Sequence, residues 1–378
     1  MNPPVNAFRV LVKAALIFVV INLAYAYFDP PVGKLNGYNI LWPGRVRFPY
    51  AESPLFYAAS HNASVVENFD AMFGAHVLSA THKETDEFRV FLLGDSATWG
   101  GHVPPGEMLA AQLNRLELTA CDGRRVRAYD LGYPWPSLLR DILVLDQAMQ
   151  YEPDLVIWPV TLHSFEKKQA ERDFIVPHAD RMRRLTETYH IKLPRAYLEI
   201  SPPGLLDKTI VGQRKHLKNV FLNQTFGPVW AATGVDNNFG LVTEHPIFPQ
   251  DMPADISYLE YKSDKKKPEL LQSLMFDLIR VGHEIAADAP VIVVNEPIFI
   301  VTGRNSDLRY NELYPRWAYD AYRAALTDWM TREGYAFYDY WNALPVNVFA
   351  NEVFHRDPRG ERLFAEMLAP HILDASCK

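Results

Sequence analysis

Residues 89–100 read Arg-Val-Phe-Leu-Leu-Gly-Asp-Ser-Ala-Thr-Trp-Gly, a short apolar run that stops at Gly94-Asp95-Ser96. The pattern predicts a buried strand that delivers Ser96 to its carboxyl end, where open α/β sheets place their ligands. A serine hydroxyl is a poor nucleophile at neutral pH and needs an adjacent base to take its proton. Glu352-Val353-Phe354-His355, followed by Pro358 and Gly360, offers one far downstream. Histidine suits the task because its pKa lies near the working pH, and a carboxylate can set its tautomer and steady the imidazolium. On this reading Ser96 is the nucleophile, His355 the general base and then acid, and Glu352 the orienting carboxylate, with Asp357 as its competitor. His355 taken alone reads as a surface residue capping the last helix; its pairing with Gly94-Asp95-Ser96 and Pro358-x-Gly360 favours the base.

Together the two segments resemble the GDSL or SGNH hydrolase superfamily, in which Gly-Asp-Ser opens the fold and an Asp-x-x-His block closes it. The resemblance covers about 88–164 and 289–373, with Glu352 standing where the family has Asp. It implies three donors for a developing oxyanion: the Ser96 backbone N–H, a glycine N–H from a second block and an asparagine side chain from a third. The second block is Asp130-Leu131-Gly132-Tyr133-Pro134-Trp135-Pro136-Ser137, and the glycine position falls on Trp135. A backbone N–H survives there, while the indole crowds the acyl pocket; Gly132 permits the tight turn. In the third block Thr161-Leu162-His163-Ser164 replaces Gly-x-Asn-Asp, so His163 stands at the asparagine. A neutral imidazole with its N–H toward the substrate would replace the amide; the other reading is a polar strand-end residue in a branch that has lost activity. Asn295-Glu296-Pro297 ends a further strand, and lining the cleft and capping the following loop are equal readings.

The elements that must position these residues alternate clearly from Phe88 onward. Strands are expected at Val90–Leu93, Val126–Leu131, Leu155–Val160, Val291–Asn295 and Ala336–Tyr340. Helices are expected at Gly106–Leu118, Ser137–Tyr151, Glu269–Ala287, Tyr314–Glu333 and Arg359–Leu373. In Ser137–Tyr151 an apolar stripe runs through Leu138, Ile142, Leu145 and Met149. Apolar strands alternating with helices imply a parallel sheet covered on both faces. The expected fold is α/β, a three-layer α/β/α sandwich with a five-stranded, flavodoxin-like sheet. Residues 31–87, rich in Pro, Gly, Tyr and Asn, read as a linker and docking segment with a helix near Ser64–Phe73. The SGNH-like domain spans 88–374 and carries a long insertion at 165–268, with one convincing helix near Val211–Phe221. The Lys265-Lys266-Lys267 run reads as a solvated surface.

Residues 1–30 form a separate unit. Val10 to Phe28 is apolar apart from Lys13 and Asn22, long enough at about 19 residues and roughly 28 Å of helix to cross a bilayer core. Arg9 and Lys13 at its start place the N-terminus in the cytoplasm and the main domain outside, as a single-pass membrane protein. Ala24-Tyr25-Ala26 also fits a signal-peptidase site, which would release a secreted domain; the apolar run continues past it and favours an uncleaved anchor. A net charge of −7 argues against nucleic acid as a partner. Cys121 and Cys377 are expected as free thiols. No zinc-type histidine spacing, Walker loop or Gly-x-Gly-x-x-Gly is present, so neither metal nor cofactor is expected. The resemblance implies a serine esterase acting outside the cytoplasm on a cell-surface glycan or lipid ester, through an acyl-serine intermediate. An O-acyltransferase modifying an exported polysaccharide shares the first half-reaction. A catalytically inactive, carbohydrate-binding SGNH-like protein is the third reading.

Overall fold

A computed structural model of the chain describes residues 6–30, 32, 37–38, 44–51, 69–166, 178–193, 204–242, 246–256, 261 and 266–378. In chain order the elements are α1 (Ala7–Phe28), β1 (Tyr50–Ala51), α2 (Phe69–Ala75), β2 (Glu87–Leu92), α3 (Leu109–Arg115), β3 (Arg125–Asp130), α4 (Leu138–Ala148), β4 (Leu155–Val160), α5 (Ala179–Tyr189), α6 (Arg214–Thr233), β5 (Asn237–Asn238), α7 (Lys267–Ser273), α8 (Asp277–Ala286), β6 (Val291–Asn295), α9 (Arg316–Glu333), β7 (Ala336–Asp339) and α10 (Pro358–Ser376).

Five strands form one sheet in the order β3-β2-β4-β6-β7, every pair parallel. This is the flavodoxin-like order. Successive side chains of a strand face opposite sides, and the apolar strands use both. Val90, Leu92, Leu155, Ile157, Ile292 and Val294 pack with Leu109 and Leu113 of α3 and Phe364, Leu368 and Ile372 of α10. Phe91, Leu93, Val156, Trp158, Val291 and Val293 pack with Leu138 and Ile142 of α4, Ile279 of α8 and Tyr322 of α9. Each such side chain contributes about 1.5–3 kcal/mol on burial, so both faces need a helical layer. Because β2 pairs with β3 on one side and β4 on the other, chain direction across the sheet reverses at the end of β2. That end opens the crevice where Ser96 follows.

Several boundaries differ from expectation. The helix expected over Glu269–Ala287 is two helices, because Leu274 is extended and the Met275 N–H donates to Phe165 O at 3.0 Å. The insertion contains α5 as well as α6, and α6 begins later and runs further than Val211–Phe221. Residues 64–68 of the expected Ser64–Phe73 helix lie outside the described residues; α2 covers Phe69–Ala75. Phe48, Met72, Phe73 and Leu78 are buried in the core over α4, so part of 31–87 is built into the domain. Parallel pairing of β1 with β5 joins that segment to the insertion.

The expectation of free thiols is corrected: Cys121 and Cys377 are disulfide-bonded, with Cα atoms 5.1 Å apart. Packing of α10 beside α3 brings the final turn to the loop before β3, where the Cys121 N–H donates to Ser376 Oγ at 3.0 Å. Closeness in sequence to the terminus did not prevent pairing, because α10 runs to Ser376 as an ordered helix.

Candidate active site

The turn after β2 presents Ser96. Gly94 has φ +134°, in the region that favours glycine, and an added Cβ would lie 2.5 Å from Thr98 Oγ1. Asp95 Oδ1 accepts from the Ala97 N–H at 2.8 Å, and the Trp99 and Gly101 N–H groups donate to the carbonyls of Asp95 (2.9 Å) and Ser96 (2.7 Å). Burial, then the nearby Glu296 carboxylate, pushes the Asp95 carboxyl well above its usual range. Arg47 pins the outer side of this turn. Its buried guanidinium donates to the carbonyls of Trp99 (3.1 Å), Gly100 (2.7 Å) and Val103 (3.3 Å), binds Asn237 of β5, and lies 3.7 Å from the Trp99 ring centre.

The structure brings Ser96 and His355 together: Nε2 lies 2.8 Å from Oγ. Both are buried yet reach solvent, at 6% and 7% exposure. Burial, then His102 and Arg356, holds His355 well below the ordinary histidine pKa, so its ring is neutral at physiological pH. The orienting carboxylate is a correction. Among the described residues Glu352 makes no hydrogen bond to His355; burial, then the neighbouring Glu312 carboxyl, raises its pKa. Asp357 caps α10, accepting from the Arg359 (2.8 Å) and Gly360 (3.0 Å) N–H groups, with Pro358 at the first helical position. The group at His355 Nδ1 is instead the Asn351 side-chain amide, whose Nδ2 lies 2.5 Å away. A tight turn, Asn351 to His355, makes this possible and puts the residue three before the histidine on the outside.

Trp135 and His163 lie in the segments that follow β3 and β4. Trp135 has φ +74° and its side chain is 65% exposed. That left-handed backbone is where glycine sits without strain, and a non-glycine residue there costs roughly 1–3 kcal/mol. Arg140 fixes this turn to the serine turn, donating to the carbonyls of Pro134 (2.9 Å), Trp135 and Gly94 (2.9 Å) while paired with buried Asp141. Gly132 serves close approach: a Cβ there would lie 2.6 Å from the Trp99 nitrogen. Among the described residues, the backbone N–H groups of Ser96 and Trp135 make no hydrogen bond. His163 is buried on a 3-10 turn after β4, its ring centre 4.9 Å from that of Tyr314 and 6.0 Å from that of Tyr261. No hydrogen bond joins it to Ser96 or His355 among the described residues.

Other neighbours of the pair have no local sequence signal. The His102 ring centre lies 4.8 Å from that of His355, and Nδ1 of His102 donates to Gly240 O at 2.7 Å. Phe239 lies 6.1 Å from His355 by ring centres and 5.6 Å from Tyr50, so the insertion and β1 wall the site. Asn295-Glu296 neither lines the cleft nor caps a loop: Asn295 bonds Tyr319, Tyr322 and Asp339, and Glu296 pairs with Arg356 at 2.8 Å. Arg356 also donates to Ala97 O at 3.1 Å, tying the histidine segment to the serine turn. Among the described residues, no group of three or more His, Cys, Asp or Glu side chains could hold a metal ion.

No family model matches the chain, and no curated protein matches it. Among solved structures the chain is similar to a lipolytic protein of the G-D-S-L family from Veillonella parvula, at 12% identity and a TM-score of 0.35, over 75% of this chain and 96% of that one. It is similar to a carbohydrate acetylesterase family member from Sinorhizobium meliloti, at 10% identity and a TM-score of 0.33, over 77% and 99%. It is also similar to an acetylxylan esterase from Geobacillus stearothermophilus, at 12% identity and a TM-score of 0.32, over 75% and 93%. Likeness at that level leaves the chemistry to this chain's own residues.

Proposed function

We propose that the protein is a serine ester hydrolase of the SGNH type, with Ser96 as nucleophile and His355 as its base. The observation that carries this is the 2.8 Å approach of Ser96 Oγ to His355 Nε2 across 259 residues of chain. As Oγ bonds to the acyl carbon, its proton passes to Nε2. The alcohol leaves with that proton, and water then repeats the sequence on the acyl-serine. The unbonded N–H groups of Ser96 and Trp135 are the oxyanion donors in this reading, with His163 as a third.

The substrate proposed is an ester on a glycan or lipid at the cell surface. Half-buried Tyr50 and Phe239 and the exposed Trp135 give the site aromatic faces suited to sugar rings. The test is labelling by a fluorophosphonate together with hydrolysis of a small acetyl ester. Wild type should label and turn over, and Ser96→Ala should lose both; equal labelling in the two, or none in a folded wild type, would reject the assignment.

The proposed setting is outside the cytoplasm, with α1 kept as an anchor. This helix is 22 residues long, long and apolar enough to cross a membrane, and leaves its apolar side chains exposed. Its last turns dock on the insertion. Asn22 Oδ1 accepts from the Val211 N–H (3.1 Å), Tyr25 OH bonds Gln213 (3.2 Å) and Asp29 pairs with Lys208 (3.2 Å). Exposed Leu205, Leu206 and Phe221 stand nearby in sequence. The disulfide fits an oxidising compartment. The mature protein should therefore resist alkaline extraction from membranes and yield N-terminal peptides by mass spectrometry; a chain beginning after Ala26 would contradict the anchor.

A further inference from the structure

Hydrogen bonds around Asn351 determine which end of its amide faces His355. Its Oδ1 accepts from the N–H groups of Val353 (3.1 Å), Phe354 (3.2 Å) and His355 (3.1 Å). Amide ends are told apart by such networks, and only the carbonyl end can meet three donors. Turning the amide over would replace these three bonds with three contacts between N–H groups. The NH2 end therefore faces the ring, 2.5 Å from Nδ1. An amide nitrogen has no lone pair to offer, so Nδ1 must be the acceptor. A neutral imidazole has one N–H, and here it falls on Nε2, directed at Ser96 Oγ.

We propose that Asn351 is a positioning residue that holds His355 in its Nε2–H tautomer, so that the resting site is a hydrolase pair whose base is blocked. This rests on the serine hydrolase reading above. A base for Ser96 needs a lone pair on Nε2, which places the proton on Nδ1 and sets it against the Asn351 NH2. Only that minor tautomer takes the serine proton, and the site is slow in proportion to its rarity. An asparagine can serve a catalytic histidine when its carbonyl oxygen faces the ring; here the turn occupies that oxygen. No carboxylate compensates: among the described residues the His355 ring nitrogens meet only Asn351 and Ser96, and Asp357 caps α10. Protonation gives no escape, because the imidazolium carries N–H on both nitrogens, and burial, His102 and Arg356 all oppose it. A carboxylate at position 351 would serve both sides, with one oxygen for the turn and the other for Nδ1–H. The brake is thus one NH2 group wide.

The test uses the full chain in detergent, as wild type, Asn351→Asp, Ser96→Ala and the double variant, each checked for folding by circular dichroism. Fluorophosphonate labelling and p-nitrophenyl acetate hydrolysis should be roughly 100- to 10,000-fold faster in Asn351→Asp, a range bounded by the loss other serine hydrolases suffer on the reverse change. Ser96→Ala should erase the gain. Spectra of 15N-histidine protein, with His355→Gln for assignment, should show Nδ1 bare in wild type and protonated in Asn351→Asp. A protonated Nδ1 in wild type overturns the proposal, and so does a folded Asn351→Asp that labels at Ser96 no faster than a wild type that itself labels there. Should the tautomer switch as stated while neither protein labels at Ser96, the tautomer lock stands and the hydrolase reading falls.

Discussion

Arg356→Met should destabilise the fold by about 3–5 kcal/mol, the range for breaking a buried ion pair from one side. The guanidinium is fully buried and reaches Glu296 Oε2 at 2.8 Å, Glu361 Oε1 at 3.1 Å and the Ala97 carbonyl at 3.1 Å. Both carboxylates are also shut from solvent, and burial already pushes Glu361 up to about 7 with the arginine in place. Without it, each must take a proton or remain a buried charge. Their folded pKa values then stand above the unfolded ones, so folding binds protons and stability falls as pH rises. The variant's deficit should accordingly be smallest near pH 5 and grow toward pH 8. Urea midpoints of the two proteins at both pH values measure this, and Glu296→Gln in the variant background should recover part of the loss. Equal midpoints for wild type and Arg356→Met would refute the account.

Gly101→Ala should lower the acylation rate of Ser96 about 100-fold while leaving the fold nearly intact. A Cβ on Gly101 would lie 2.9 Å from His355 Cδ2, 3.1 Å from its Nε2 and 3.0 Å from the Ser96 carbonyl oxygen. Carbon atoms do not approach so closely, so the ring must swing off Ser96. A displacement of about 1 Å at reacting groups is enough for a 100-fold loss. Gly106→Ala is the control, because the nearest atom to its added Cβ is 3.9 Å away, at the end of Arg115. Labelling rates for the three proteins, read beside their melting temperatures, check the point; an unchanged rate in Gly101→Ala would show that the ring is not held where described.

The contrast between Glu352 and Asn351 marks where sequence reading stopped. A carboxylate three residues before a histidine is a pattern in one dimension, and Glu352 satisfies it. Whether residue 351 or 352 faces the ring depends on the turn that Asn351 itself ties through three backbone N–H groups. That turn leaves no trace in composition or periodicity. Glu296 went unassigned for a similar reason: its partner lies 60 residues away.

Continuous apolar runs along β2, β4 and β6, and helical stripes such as that of α4, determined the two-faced parallel sheet from sequence alone, because a strand covered on both faces must be apolar on both. The same logic placed Ser96 at a strand end, and the resemblance to SGNH hydrolases is what drew His355 toward it. Only the tertiary structure decided which groups meet: Asn351 at His355, Arg356 between two glutamates, Arg47 under the serine turn and Cys121 with Cys377. Period reports how each residue faces its own element. Pairing between distant side chains is decided by how the elements pack, and the proton on His355 follows from that packing.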